Sequence, residues 1–111
     1  MLQDLGFDVS TAKNGQEALN QFKKSKLYTF DYIFMDIMMP VKDGLEATKE
    51  IRALPWSDAK SVHILAMSAN AFVEDIMNSK VAGMNMHLAK PLDETKLINA
   101  LKQCKEDERV N

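Results

Sequence analysis

With 111 residues, 46% of them apolar and 27% charged, the chain has the size and balance of one soluble domain. Its formal net charge of −2 provides no basic surface for nucleic acid or an anionic membrane, and its apolar runs are too short to span a bilayer. A single cysteine, Cys104, rules out an internal disulfide, and no basic stretch followed by an apolar run marks a signal peptide, so a cytoplasmic location is expected.

Met1 to Leu5 reads as the tail of a helix stopped at Gly6. Phe7 to Ala12 reads as a short strand and Asn14-Gly15 as a turn. Gln16 to Lys24 places Ala18, Leu19 and Phe22 on one helical face. Tyr28 to Met35 contains Tyr32-Ile33-Phe34-Met35, the pattern of a buried strand, with Asp36 at its C-terminal end. A loop through Pro40 and Asp43-Gly44 leads to a helix from Leu45 to Leu54, where Leu45, Thr48, Ile51 and Leu54 recur at helical spacing. Pro55-Trp56-Ser57-Asp58 breaks that helix, with Trp56 as a partly buried loop anchor. Val62 to Met67 is the next strand; Ala71 to Val81 is a helix closed by Gly83, with Glu74 and Asp75 balancing its start. Met86 to Ala89 is a short strand ended by Lys90-Pro91, and Asp93 caps a last helix through Gln103 with Leu97, Ile98 and Leu101 on its inner face. Residues 1–104 form one domain, and the charged tail from Lys105 to Asn111 is expected to fray. The eight methionines read mostly as core filler, and His63 and His87 have no Cys or second His at zinc-ligand spacing.

Strands and helices alternate, which predicts an α/β fold on a parallel sheet with functional residues at the C-terminal ends of strands. Asp36, Ser68 and Lys90 each stand at such an end, so one sheet edge can gather a carboxylate, a hydroxyl and an ammonium. A carboxylate can attack phosphorus to give an acyl phosphate, and the ammonium and hydroxyl can bind the phosphoryl oxygens. Such a transfer asks mainly for positioning and charge neutralisation. Singly, each residue has a plainer reading. An Asp after a strand is commonly a cap, Ser commonly opens the next loop, and Lys90 can be a solvated charge beside a proline. Their joint placement is the argument for a site.

Met35-Asp36-Ile37-Met38-Met39-Pro40-Val41-Lys42-Asp43-Gly44 resembles the phosphoacceptor loop of response-regulator receiver domains. Ala66-Met67-Ser68-Ala69-Asn70-Ala71 resembles their hydroxyl-bearing strand end, Gly83 through Lys90-Pro91 their last strand, and Asn14-Gly15-Gln16-Glu17-Ala18-Leu19 the opening of their second helix. The similarity runs from Leu2 to about Leu101, and its flavour is that of receivers attached to hybrid histidine kinases. It implies a flavodoxin-like (CheY-like) three-layer α/β fold and a regulatory phosphoacceptor rather than an enzyme. Asp36 would accept phosphate from a histidine kinase or a phosphotransfer domain. Ser68 would be the switch hydroxyl, Lys90 the phosphoryl contact ahead of a cis bond to Pro91, and His87 would stand where Tyr or Phe is commoner. Pro40 and Gly44 would shape the loop, and Asp36 with the backbone carbonyl of Met38 would serve a magnesium ion.

Receiver domains begin earlier, with a strand ending in two acidic residues followed by a first helix. The resemblance therefore implies that the first strand, most of the first helix and the remaining acidic magnesium ligands are missing here. Asp4 and Asp8 do not sit at a strand end on the functional edge. In the strand order 2-1-3-4-5 the first strand is internal, so the strand at Phe7 to Ala12 would lose its neighbour. A fragment, a miscalled start, or a degenerate receiver that pairs with a second copy by strand exchange would each account for this, and the chain alone is expected to phosphorylate poorly. Two other classes compete. A pseudo-receiver, an interaction module without phosphorylation, would bind its partner equally well as Asp36→Asn. A phosphatase of the haloacid-dehalogenase kind needs an acid two residues after its nucleophile, where this sequence has Met38. Flavin binding lacks a phosphate loop after the first strand present.

Overall fold

Polar residues ahead of the amphipathic runs set where the first helices start. Asn14 caps α1 (Gly15–Lys24), its side chain accepting from the Glu17 amide at 2.9 Å, and Asp43 caps α2 (Gly44–Arg52), accepting from the Glu46 amide at 2.8 Å. The structure, a computed structural model, describes residues 10–12, 14–25, 30, 32–38, 42–69 and 72–110. Three strands, β1 (Tyr32–Asp36), β2 (His63–Ser68) and β3 (Met86–Ala89), pair in parallel in the order β1-β2-β3. Asp36 lies opposite Met67, and Ser68 opposite Ala89. The central strand β2 is buried along most of its length, which is why His63-Ile64-Leu65-Ala66 reads as a continuous rather than an alternating run. A short α3 (Ser57–Ser61), then α4 (Val73–Ala82) and α5 (Glu94–Val110), complete the α/β arrangement.

The described chain divides into two compact units, one of Ala12–Lys90 and a second that includes residues 91–110. The first holds all three strands and α1 to α4. Its core gathers Leu19 and Phe22 from α1, Ala47 and Ile51 from α2, Ala59 from α3, and Met35, Ile64 and Ala66 from the sheet. Phe22 stacks with Phe30 and with Trp56, at ring centroid distances of 6.3 and 6.2 Å, so Trp56 is the half-buried anchor its position implied. Arg52 ties three segments together, donating to the carbonyls of Gly83 and Ala59 and to the Asn85 side chain at 2.9, 3.1 and 2.9 Å. Burial lowers the pKa of its guanidinium from the ordinary arginine value. Gly83 closes α4 at φ 109°, a left-handed conformation that glycine adopts without strain. In the other unit, Asp93 accepts from the Lys96 amide at 2.8 Å at the start of α5, which buries Leu97, Ala100, Leu101 and Cys104.

Several expectations are corrected. The Pro55-Trp56-Ser57-Asp58 segment ends α2 but also starts α3, because Pro55 falls ahead of that helix, where a missing N–H is harmless. The last helix is longer than the sequence suggests. It continues to Val110, through a run with no Gly or Pro and with good helix formers at Lys105, Glu106 and Arg109. Its buried stripe takes in Ala100 and Cys104, whereas Ile98 is exposed. The methionines are not uniformly core, since Met38 and Met77 face solvent while Met35 and Met84 are buried. Residues 10–12 form no strand, and the rest of the strand expected from Phe7, like the helix tail at Met1 to Leu5, lies outside the described residues. No helix among the described residues is long and apolar enough to cross a membrane.

Candidate functional site

Parallel pairing brings the C-terminal ends of the three strands to one edge, and the residues singled out by position arrive there together. Asp36 closes β1, Ser68 closes β2, and Lys90 follows β3 directly. The Lys90 ammonium reaches Asp36 Oδ2 at 2.5 Å, across 54 residues of sequence. The other carboxylate oxygen, Oδ1, accepts from the Met38 amide at 3.1 Å, which holds the plane of the carboxylate against the loop. The Lys90 amide donates to the Ser68 carbonyl at 2.7 Å, so the backbone carrying the ammonium is locked to the end of β2. Asp36 and Lys90 keep part of their side-chain surface open to solvent.

The loop after β1 is drawn tight by glycine. The Gly44 amide donates to the Ile37 carbonyl at 3.0 Å, and a Cβ at Gly44 would stand 2.4 Å from the Asp36 carbonyl oxygen. Gly15 meets the same loop from α1: its amide donates to the Lys42 carbonyl at 2.9 Å, and a Cβ there would lie 2.3 Å from that oxygen. Both positions need glycine for space. Lys42 also pairs with Glu50 on α2. Pro40, expected to shape this loop, lies outside the described residues. Pro91 is exposed, and its carbonyl accepts from the Lys96 ammonium at 3.0 Å.

The Ser68 hydroxyl makes a contact on the side of β3. It lies 2.7 Å from Nε2 of His87, whose Nδ1 lies 3.1 Å from the hydroxyl of Ser79 on α4. Sequence reading placed His87 by resemblance and missed Ser79. The only signal for it was a serine inside a predicted helix. Sequence reading also missed Arg52 and Asn85, and read Gly15 only as part of a turn and helix opening; the parts of all three depend on what packs against them.

Magnesium asks for near-octahedral oxygen coordination, usually including one or two carboxylates. Among the described residues, no group of three or more His, Cys, Asp or Glu side chains could hold a metal ion. At Asp36 an ammonium already sits on one oxygen and an amide on the other. The described donors therefore do not fit a divalent cation as they stand; Asp4 and Asp8 lie outside them.

Comparison with known proteins points one way. A family model described as the response regulator receiver domain matches residues 1–102. Among curated proteins, hybrid signal transduction histidine kinase I of Dictyostelium discoideum is 35% identical over 95 residues, covering 84% of this chain and 6% of the relative. Peroxide stress-activated histidine kinase mak2 of Schizosaccharomyces pombe is 31% identical over 104 residues, 92% of this chain and 4% of the relative. The chain thus spans a small fraction of the relatives it matches. Among solved structures, chemotaxis protein CheY4 of Vibrio cholerae superposes with a TM-score of 0.82 at 34% identity, over 93% of this chain and 82% of that one. The receiver domain of a sensor histidine kinase from Pseudomonas aeruginosa PAO1, solved with magnesium in its active-site cleft, gives 0.79 at 37% identity, over 92% and 80%.

Proposed function

The chain belongs to the response regulator receiver domain family, with the CheY-like α/β fold, and on that premise we propose that Asp36 is the phosphoacceptor of a two-component phosphorelay. The observation that carries the reading is the Lys90 ammonium 2.5 Å from the Asp36 carboxylate, at the edge where Ser68 also ends its strand. An Asp36 oxygen attacks the phosphorus of a phosphohistidine; the P–O bond forms as the P–N bond breaks, and the released imidazole takes up a proton from water. Lys90 offsets the charge that gathers on the phosphoryl oxygens, and the Met38 amide holds the carboxylate in place. The donor is a histidine kinase or a phosphotransfer domain, in keeping with the hybrid kinases among the relatives. The domain itself is regulatory, and any kinase activity belongs to a parent protein. The added charge of about −1.5 to −2 then changes which partner the surface binds.

Incubation with a small phosphoramidate, which carries the same P–N bond as phosphohistidine, tests the reading by intact mass. One phosphoryl adduct is expected on the wild-type chain, labile to hydroxylamine as an acyl phosphate is, and none on Asp36→Asn. A second reading, an interaction module without phosphorylation, draws on the poor fit of the described donors to magnesium. It is favoured if the wild type takes no adduct and Asp36→Asn leaves partner binding unchanged.

A further inference from the structure

Ser79 is a hydroxyl buried to 1% exposure in α4, and phosphoryl transfer at Asp36 does not use it. Its Oγ lies 2.8 Å from the Ile76 carbonyl and 3.1 Å from Nδ1 of His87. A serine hydroxyl has one proton, and a carbonyl can only accept, so the shorter contact takes that proton. The Ser79 oxygen is then left to accept from His87, which puts the proton of the neutral imidazole on Nδ1. Nε2 becomes a bare acceptor, and Ser68, 2.7 Å away, donates its own single proton to it. The opposite tautomer would require Ser79 to turn its proton from the 2.8 Å contact to the 3.1 Å one.

We infer that Ser79 is a positioning residue that acts through His87: it fixes the imidazole tautomer and so holds the Ser68 proton on His87, away from Asp36, in the unphosphorylated chain. The consequence rests on the reading of Asp36 as phosphoacceptor. Phosphoryl oxygens only accept, so Ser68 can bind them only by donating its proton. That proton is already committed. Ser68 must therefore leave His87 before it can serve the phosphoryl group, and Ser79 opposes that step from a neighbouring helix. The three side chains link the end of β2, the middle of β3 and α4 in one chain of hydrogen bonds. Breaking it at Ser68 leaves the ring held by α4 alone.

Nitrogen-15 NMR of the imidazole in the full chain reads the tautomer directly, whether or not Asp36 accepts phosphate. The neutral form, identified from the titration in the same spectra, is expected as Nδ1–H in the wild type. In Ser79→Ala the Nδ1 acceptor is gone, and the Nε2–H tautomer should gain population. Neutral His87 found mainly as Nε2–H in the wild type overturns the inference without any variant; an unchanged tautomer in Ser79→Ala also overturns it. With beryllofluoride as the phosphoryl probe, Ser79→Ala is expected to bind about threefold to tenfold more tightly than the wild type, the change due to one neutral hydrogen bond. Equal or weaker binding refutes the opposition assigned to Ser79. If neither protein binds beryllofluoride, the Asp36 reading fails, and the spectra still decide the part played by Ser79.

Discussion

Replacing Gly44 by alanine tests the claim that the loop after β1 is set by close approach of backbone. An added Cβ would lie 2.4 Å from the Asp36 carbonyl oxygen, 3.0 Å from its carbon and 2.9 Å from Met35 Cγ. The first contact is about 0.6 Å short of the closest that real Cβ atoms show. The atom in the way is backbone at the end of β1, so no rotamer change relieves it. Either Asp36 retreats or the start of α2 lifts, and the Gly44–Ile37 hydrogen bond stretches with it. Overpacking of this kind costs about 1–3 kcal/mol. Alanine regains at most about 1 kcal/mol in helix propensity, and less in the first turn than in the interior. A net loss of about 2 kcal/mol is expected, which for a domain of this size lowers Tm by about 8 °C. Urea titration followed by circular dichroism should show the loss as a lower midpoint at unchanged slope. Displacing Asp36 should also slow labelling by phosphoramidate about tenfold, since misplacement by about 1 Å can cost 100-fold. An alanine variant as stable as the wild type, labelled at the same rate, would refute the steric argument.

Three other substitutions probe separate parts of the molecule. Lys90→Ala should leave the fold intact, since the pair with Asp36 is partly solvated, yet reduce the phosphorylation rate at least tenfold in the same mass assay. Arg52→Ala removes three hydrogen bonds that join α2 to the segments around Ala59 and Gly83, and should cost about 2–3 kcal/mol in urea denaturation. Thr48→Val should be neutral or stabilising by up to about 1 kcal/mol, because the Thr48 hydroxyl is fully buried and has no hydrogen-bond partner among the described residues; a loss above about 1 kcal/mol would show that the hydroxyl is satisfied.

Asp36, Ser68 and Lys90 were legible in the sequence because each follows an apolar run short enough to be a strand, and parallel strands end on a common edge. The face of α1 was legible too: Leu19 and Phe22 are buried with Ala18 beside them, as helical spacing requires. α3 was hidden because five residues are too few to show a period, and a proline next to them reads first as a breaker. α5 runs past Gln103, where the sequence reading ended it, through Lys, Glu and Arg, which are good helix formers.

Alternation of apolar runs with polar punctuation is a local property, and it determined the order of the elements from α1 onward apart from α3, the α/β class and the sheet edge at which Asp36, Ser68 and Lys90 stand. What those side chains do there depends on neighbours that no local pattern names. The tertiary structure decided that Lys90 reaches Asp36, that Gly44 and Gly15 leave room for backbone carbonyls, and that the Ser68 hydroxyl turns to His87 and, through it, to Ser79. Hydrogen bonds are directional and act over about 3 Å, so they are fixed only when packing has brought their partners within reach.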